Sequence, residues 1–330
     1  MIFFLEVSNN MTPQQIEYVL AVAEERSFSK AAKKLYVTQP SLSKFIINLE
    51  TQLGVSLFDR SSSPITITEA GRIFIETANH MKSLEEDMSL KMSDLIGMKN
   101  GSLKIGTTSF YASKMLLQVV SHFHTKYPDI QISIEENTCG VLEEMLLKGD
   151  IDIMIGTPNV DDTLFNIEEL CLEKMYLAVP RSRSVNSQCA EYALEVDDIR
   201  NNTEKIFRKD FVSFDYFKKE RFIFLNNTDY NFQSVKKICK KNSFSPVISF
   251  KSNSLETVFA YVQAELGAAF IPDTFIKFSD ISNHPVYYAV EPYDTETHIK
   301  LIYKKNKYLS KASVEFFNIL RELIGRGTWR

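Results

Sequence analysis

The sequence predicts an N-terminal α-rich winged helix-turn-helix, then a long linker helix, then an α/β region of two Rossmann-like lobes. Three observations carry this. Residues 27–44 read as two short helices joined by a tight turn, with small polar residues opening the second. Residues 68–98 form one helical pattern without proline. From residue 102 onward strand and helix patterns alternate, which implies parallel strands joined by crossover helices.

The elements follow in order. A first helix is expected over 13–25, where Ile16, Val19, Leu20 and Val22 recur at helical spacing. Ser29 suits the cap of a second helix over 30–35, with Ala31, Ala32 and Leu35 as its buried stripe. Ala32 is small enough for the next helix to cross closely. Tyr36 and Val37 make the turn. Thr38 caps a third helix, and Pro40 falls in its first turn, where a missing N–H costs nothing. Leu42, Ile46, Leu49 and Leu53 repeat along it, and Gly54 ends it. Gln39, Ser41, Ser43, Lys44 and Asn48 lie on its other faces. Short polar side chains there can approach base edges in a major groove, and the helix N-terminus attracts phosphate. An ordinary capped helical hairpin is the plainer reading. Two β-prone runs flanking residues 61–64 form a wing and favour DNA.

Within 68–98, Phe74, Met81, Met88 and Leu95 recur every seven residues, with Ala78, Leu84, Met92 and Met98 between them. A helix of roughly 30 residues spans about 45 Å, too long for a small domain to cover. Pairing with a second copy is therefore expected, setting two recognition helices on two half-sites of one DNA face. Beyond it, strands are expected at 103–108, 130–135, 151–155, 222–225, 247–250, 268–271, 286–290 and 299–303. Helices are expected at 113–127, 140–148, 232–241, 255–265 and 311–324.

Composition narrows the class. The 330 residues suit two or three domains, and the net charge of −4 excludes a broadly basic nucleic-acid binder. Between Arg26 and Arg72, however, seven basic residues face three acids, a local +4. That footprint is modest, so specific binding should need a dimer. Cys139, Cys171, Cys189 and Cys239 have no paired spacing and read as reduced thiols in a cytosolic protein. A redox sensor would need an exposed thiol of low pKa, which sequence does not reveal. Residues 1–10 begin apolar but are too short for a signal peptide, and read as a disordered or extra extension. No run approaches the roughly 20 apolar residues of a membrane span.

An enzyme is not expected. His122 and His124 are two apart on a helix, diverge, and read as surface residues rather than metal ligands. There is no G-x-S-x-G, P-loop or G-x-G-x-x-G. No cofactor or metal is implied. An exported solute-binding protein is the remaining alternative, opposed by the N-terminal helix-turn-helix and the missing signal peptide.

Residues 11–72 resemble the winged helix-turn-helix of LysR-type transcriptional regulators. The matching pieces are AVAEERSFSKAA at 21–32, VTQPSLS at 37–43, Leu49 and Glu50, LGVSLF at 53–58, Arg60, and ITEAG at 67–71. The rest of the chain follows that family's layout. The resemblance implies a DNA-binding set of Ser27, Ser29, Lys30, Lys33, Thr38, Gln39, Pro40, Ser41, Ser43, Lys44, Arg60 and Ser62. It departs at Phe45 and Ile47, where the family often has polar or basic residues, and at a wing that is often more basic. Phe45 has two readings, contact with a thymine methyl or core packing. The resemblance further implies promoter DNA, RNA polymerase, a homodimer or dimer-of-dimers tetramer, and a cytoplasmic regulator. Its expected domains are 11–68 for DNA, 69–99 for dimerisation and 101–330 for an effector. The effector region is similar to periplasmic binding proteins, with lobe one at 101–170 and 296–330 and lobe two at 171–295.

In open α/β sheets a ligand sits past the carboxyl ends of the strands. Hydroxyls and helix N-termini converging there suit a small anion. The expected effector residues are Thr107, Ser109, Thr138, Thr157, Asn227 and Thr228, with Tyr230 and Phe250 as walls. Each Ser or Thr could equally be a plain helix cap. The stretch 182–221 runs longer than is usual in the family. It reads as a packed insertion at the hinge side or an oligomer contact, a disordered loop, or a lid.

Overall fold

A computed structural model describes residues 11–95, 101–207, 211–226, 230–279, 281–290 and 297–325. The expected extension at 1–10 lies outside them. The chain divides into two compact units, residues 1–89 and 90–330.

In the first unit, helix α1 (Pro13–Glu25) opens on a capping box. The Thr12 hydroxyl accepts from the Gln15 amide, and the Thr12 amide donates to Gln15 Oε1 at 2.8 Å. Helix α2 is Phe28–Lys34, and its cap is Ser27, whose Oγ accepts from the Lys30 amide. The expectation of Ser29 as cap is thus corrected by two positions. Arg26 turns left-handed at φ 47° to end α1, so the chain is extended at Ser27 and already helical at Ser29. Helix α3 (Gln39–Leu53) starts at Thr38 and ends at Gly54, which takes φ 70°. The Tyr36 backbone makes the intervening turn at φ 55°.

Val19, Val22, Ala31, Ala32, Leu42, Ile46, Leu49, Leu57 and Phe58 close one core. The wing is a minimal antiparallel pair, β1 (Phe58–Asp59) and β2 (Thr66–Ile67). Glu50 fastens it to α3, its Oε1 accepting from the Leu57 and Phe58 amides at 2.8 and 3.1 Å.

Helix α4 (Glu69–Leu95) begins by passing close to the wing. At Gly71 an added Cβ would stand 2.1 Å from the Leu57 carbonyl oxygen and 2.8 Å from Ile67 Cγ2. Backbone cannot yield as a flexible side chain can. Gly71→Ala is expected to destabilise the first unit by about 3 kcal/mol. An unchanged urea midpoint for that unit would refute the close-approach argument.

The heptad reading needs one correction. Phe74 is only 7 % exposed and belongs to the unit's own core, together with Ala78. Met81, Leu84, Met88, Met92 and Leu95 are exposed, Leu95 at 80 %. Spacing alone assigned Phe74 to the seam; packing against the helix-turn-helix claims it first. Met98 lies outside the described residues.

The second unit contains β3 (Gly101–Thr107), α5 (Leu116–Lys126), β4 (Ile130–Glu136), α6 (Cys139–Lys148), β5 (Ile153–Gly156) and β6 (Phe165–Glu173). It continues through β7 (Met175–Val179), α7 (Val185–Gln188), β8 (Ala193–Leu194), α8 (Val196–Arg200), β9 (Arg221–Leu225) and α9 (Tyr230–Lys241). It ends with β10 (Val247–Ser252), α10 (Leu255–Gln263), β11 (Ala269–Pro272), α11 (Asp273–Phe278), β12 (Val286–Ala289), β13 (Thr297–Lys304) and α12 (Lys311–Gly325).

One sheet has the order β4-β3-β5-β13-β6, with β3 parallel to both β4 and β5 and β13 antiparallel to its neighbours. The other has β11-β7-β12-β8, extended by parallel β9 and β10. Ala268 joins β9 to this sheet, donating to Arg221 O and accepting from the Ile223 amide, both at 2.8 Å. The chain first crosses between sheets at Lys174. The expected break at 170–171 therefore moves, because β6 stays in the first sheet to Glu173. Strands β6 and β7 are not among the elements that the sequence predicts. The glutamates of β6 lie on a mostly half-buried strand and disguise its alternation.

The stretch 182–221 is part of the core in its described residues, not a disordered loop or a lid. Val185, Cys189, Val212, Phe214 and Phe217 pack with Phe222 and Phe270. Among the described residues no cysteine forms a disulfide. Cys139, Cys189 and Cys239 are buried, and burial pushes the Cys239 thiol up to about 11. At the start of the unit, Asp94 accepts from the Tyr308 hydroxyl and the Lys311 amide, both at 2.9 Å, tying the end of α4 to the start of α12.

Candidate functional site

Two surfaces carry the candidate residues. The first is the leading end of α3. Thr38 Oγ1 accepts from the Ser41 amide, which holds the opening turn. Pro40 occupies that turn and lacks an N–H there. Leu42, Ile46 and Leu49 are buried, so helical geometry leaves Gln39, Pro40, Ser41, Lys44 and Asn48 exposed and Ser43 half-buried. No acidic residue sits in the first turn. This end therefore offers amide N–H groups, short hydroxyls and one cation to whatever approaches it.

The remaining members of the set divide. Ser29, Lys30 and Lys33 are exposed on α2. Ser27 uses its hydroxyl as the α2 cap. Arg60 is tied inward, 2.6 Å from Glu50 and with its guanidinium 5.1 Å above the Phe28 ring. Ser62 Oγ donates to the Pro64 carbonyl in the wing loop. Phe45 is half-buried, edge-on to Tyr18 at 4.8 Å, so of its two readings the core one describes this packing. Ile47 remains exposed on α3.

The second surface is a cavity of about 260 Å³ in the second unit, where the two sheets meet. Three helical segments open on it. Ser109 and Phe110 lead from β3 into a single π turn over Tyr111–Met115, an irregularity often found at functional sites. Thr138 is the N-cap residue of α6, yet its side chain makes no cap bond. Ser254 caps α10, accepting from the Thr257 amide and donating to Glu256 Oε2 at 2.8 Å. Phe110, Tyr111, Leu225, Leu255 and Pro272 form the apolar walls.

Of the expected effector residues, Ser109, Thr138 and Thr157 line this cavity. Thr107 does not. It is fully buried and its Oγ1 donates to the Ile155 carbonyl at 2.7 Å, pinning β3 to β5. Phe250 does not either, standing on β10 edge-on to Tyr261 at 5.6 Å. Asn227 and Thr228 lie outside the described residues, as does the side chain of Tyr230. Asn137, Asn253, Ser254 and Glu256 were missed. The strand-end rule, applied to β10 as it was to its neighbours, would have found Asn253 and Ser254.

Behind the cavity wall lies a buried carboxyl. Glu173 is 1 % exposed, at the end of β6 where the chain leaves the first sheet. The Tyr111 hydroxyl donates to Glu173 Oε1 at 3.0 Å, and Thr274 of α11 donates to the same oxygen. Burial pushes Glu173 up to about 7, opposed by hydrogen bonds from Thr274, Tyr111 and Thr297 and reinforced by nearby Asp273. Burial, and next Glu173, hold the Tyr111 phenol well above its ordinary range. Asp273 is itself held, accepting from the Lys174 amide at 2.9 Å and pairing with Lys277 at 2.7 Å. One carboxyl thus joins a cavity-wall tyrosine to both sheets. Among the described residues no group of three His, Cys, Asp or Glu could hold a metal, and no helix is long and apolar enough to cross a membrane.

Comparison with known proteins adds the following. Residues 13–72 match the family of bacterial regulatory helix-turn-helix proteins of lysR type, and residues 97–325 match the LysR substrate binding domain. The chain is 28 % identical over 312 residues to the uncharacterized HTH-type transcriptional regulator YcgK of Bacillus subtilis, covering 93 % of both chains. It is 27 % identical to a probable RuBisCO transcriptional regulator of Trieres chinensis, covering 94 % of this chain and 96 % of that one. Among solved structures it superposes on a full-length OxyR variant from Pseudomonas aeruginosa with a TM-score of 0.63 at 19 % identity, covering 96 % and 95 % of the two chains. It also superposes on full-length CbnR complexed with its target DNA, with a TM-score of 0.58 at 20 % identity and coverage of 94 % and 99 %.

Proposed function

Because the chain belongs to the LysR family of DNA-binding transcriptional regulators, we propose that it binds promoter DNA as a homodimer or dimer-of-dimers tetramer and answers to a small metabolite carrying an anionic group. The observation that carries this reading is the leading end of α3, exposed, free of acid and lined by Gln39, Ser41 and Lys44. Residues 11–68 form the DNA-binding part, 69–99 the dimerisation helix and 101–330 the effector part. The exposed side chains Met81, Leu84, Met88, Met92 and Leu95 support pairing of α4 with a second copy. RNA polymerase is the further partner, and the cytoplasm the place of action of a regulator that reads promoter DNA.

The ligand occupies the cavity of Ser109, Thr138 and Thr157, where helix N-termini and hydroxyls compensate negative charge. Its binding shifts the two sheets of the effector part about their crossings. That changes how copies pair and where their recognition helices meet DNA. Footprinting of the full-length chain on DNA upstream of its own and neighbouring genes tests the reading. A protected, two-fold related site is expected. Ser41→Ala should relax base preference there, while Lys44→Ala should weaken specific and random DNA alike. Absence of any protected site would refute DNA regulation, and equal losses on both DNAs for Ser41→Ala would refute its role.

A further inference from the structure

We infer that the ligand of this cavity is a zwitterion of amino-acid type, its carboxylate at the α6 end and its ammonium at Glu256. The inference rests on the reading of the cavity as an effector site and names the chemistry that fits it.

The walls are chemically lopsided. On the first sheet's side, Ser109, Thr138 and the opening turn of α6 offer hydrogen-bond donors, and the Thr138 hydroxyl is not engaged as a cap. These suit a carboxylate. Among the described residues no lysine, arginine or histidine lines the cavity. Among the same described residues the one charged group at the wall is an acid, Glu256, in the first turn of α10 on the second sheet's side. Ser254 engages Oε2 of that carboxylate. A second carboxyl, Glu173, lies behind Tyr111.

A dicarboxylate spanning such a cavity would set one anionic end at the α6 donors and the other against Glu256, with no counter-charge. A simple monocarboxylate would gain nothing from Glu256. A molecule with an ammonium at the far end answers both walls and gains a charge-assisted bond. Phe110, Leu225, Leu255 and Pro272 then receive an apolar side chain. The volume of about 260 Å³ equals that of about nine waters at about 30 Å³ each, room for an amino acid of modest size.

The test uses the full-length chain and thermal unfolding, because a ligand bound only to the native state raises the melting temperature. The probes are the standard amino acids, the desamino acid and decarboxylated amine of each hit, and short dicarboxylates. At least one amino acid should stabilise the protein, and either truncation should weaken it about tenfold or more. Glu256→Gln should weaken that amino acid by a similar factor and leave its desamino analogue unchanged. An unchanged amino-acid affinity in Glu256→Gln overturns the assignment. So do dicarboxylates that stabilise at least as well as every amino acid. If that stabilisation disappears in Thr138→Val, the cavity remains an effector site and only the zwitterion fails. Silence of every probe overturns the assignment.

Discussion

Ser41→Glu is expected to abolish operator binding, by at least about a hundredfold, while leaving the fold intact. Ser41 is exposed in the first turn of α3, and its amide bonds Thr38 Oγ1 through the backbone. The substitution therefore removes no buried contact. An acid in a first turn even suits the helix dipole, so the free protein should melt at or slightly above the wild-type temperature. On DNA the same carboxylate would meet the phosphates that flank the major groove. It would repel them where the native helix end attracts them, and the modest local charge of +4 has little to offset that with. Electrophoretic mobility shift at two salt concentrations, beside a melting curve, checks both halves. Wild-type affinity in a folded Ser41→Glu protein would remove α3 from the interface.

The second large effect concerns Glu173. Its folded pKa of about 7 lies above the ordinary 4.5, so the native state holds a proton that the unfolded chain has released between those values. Stability from this group is complete below about pH 4.5, declines as the pH rises through about 7, and is constant above that. The span from 4.5 to about 7 corresponds to about 3 kcal/mol. Glu173→Gln keeps a neutral side chain of the same shape at every pH. It should gain about that much on the wild type between pH 5 and pH 8, by denaturant unfolding of the second unit. Parallel stability curves for the two proteins would show that Glu173 titrates normally. Glu173→Ala should instead destabilise at all pH values, because the hydroxyls of Tyr111 and Thr274 lose their buried acceptor.

Legibility in sequence followed the range of the physics. Helix α1 was readable to the residue, because Pro13 at its start and its apolar spacing are local signals. Helix α3 was readable for the same reason, with Thr38, Pro40 and Gly54 marking its ends. Ser29 and Ser27 both satisfy the rule for the α2 cap, and only the left-handed turn at Arg26 separates them. In the cavity, strand ends pointed to Ser109, Thr138 and Thr157, which face it. The same rule pointed to Thr107, which sits one residue earlier and is drawn into the sheet by Ile155.

Local order alone determined that this chain carries a capped recognition helix, a long helix with an apolar seam, and alternating strands and helices. Each of these is written in neighbours three to seven residues apart, within reach of single-helix and single-strand geometry. Tertiary structure decided the rest. It withdrew Phe74 into a core, paired Arg60 with Glu50, folded the stretch after Ser182 into the second sheet's packing, and buried Glu173 between Tyr111 and Thr274. These outcomes join residues from 10 to 101 positions apart. Burial and pairing across such separations depend on which surfaces meet in space, and no local spacing records that.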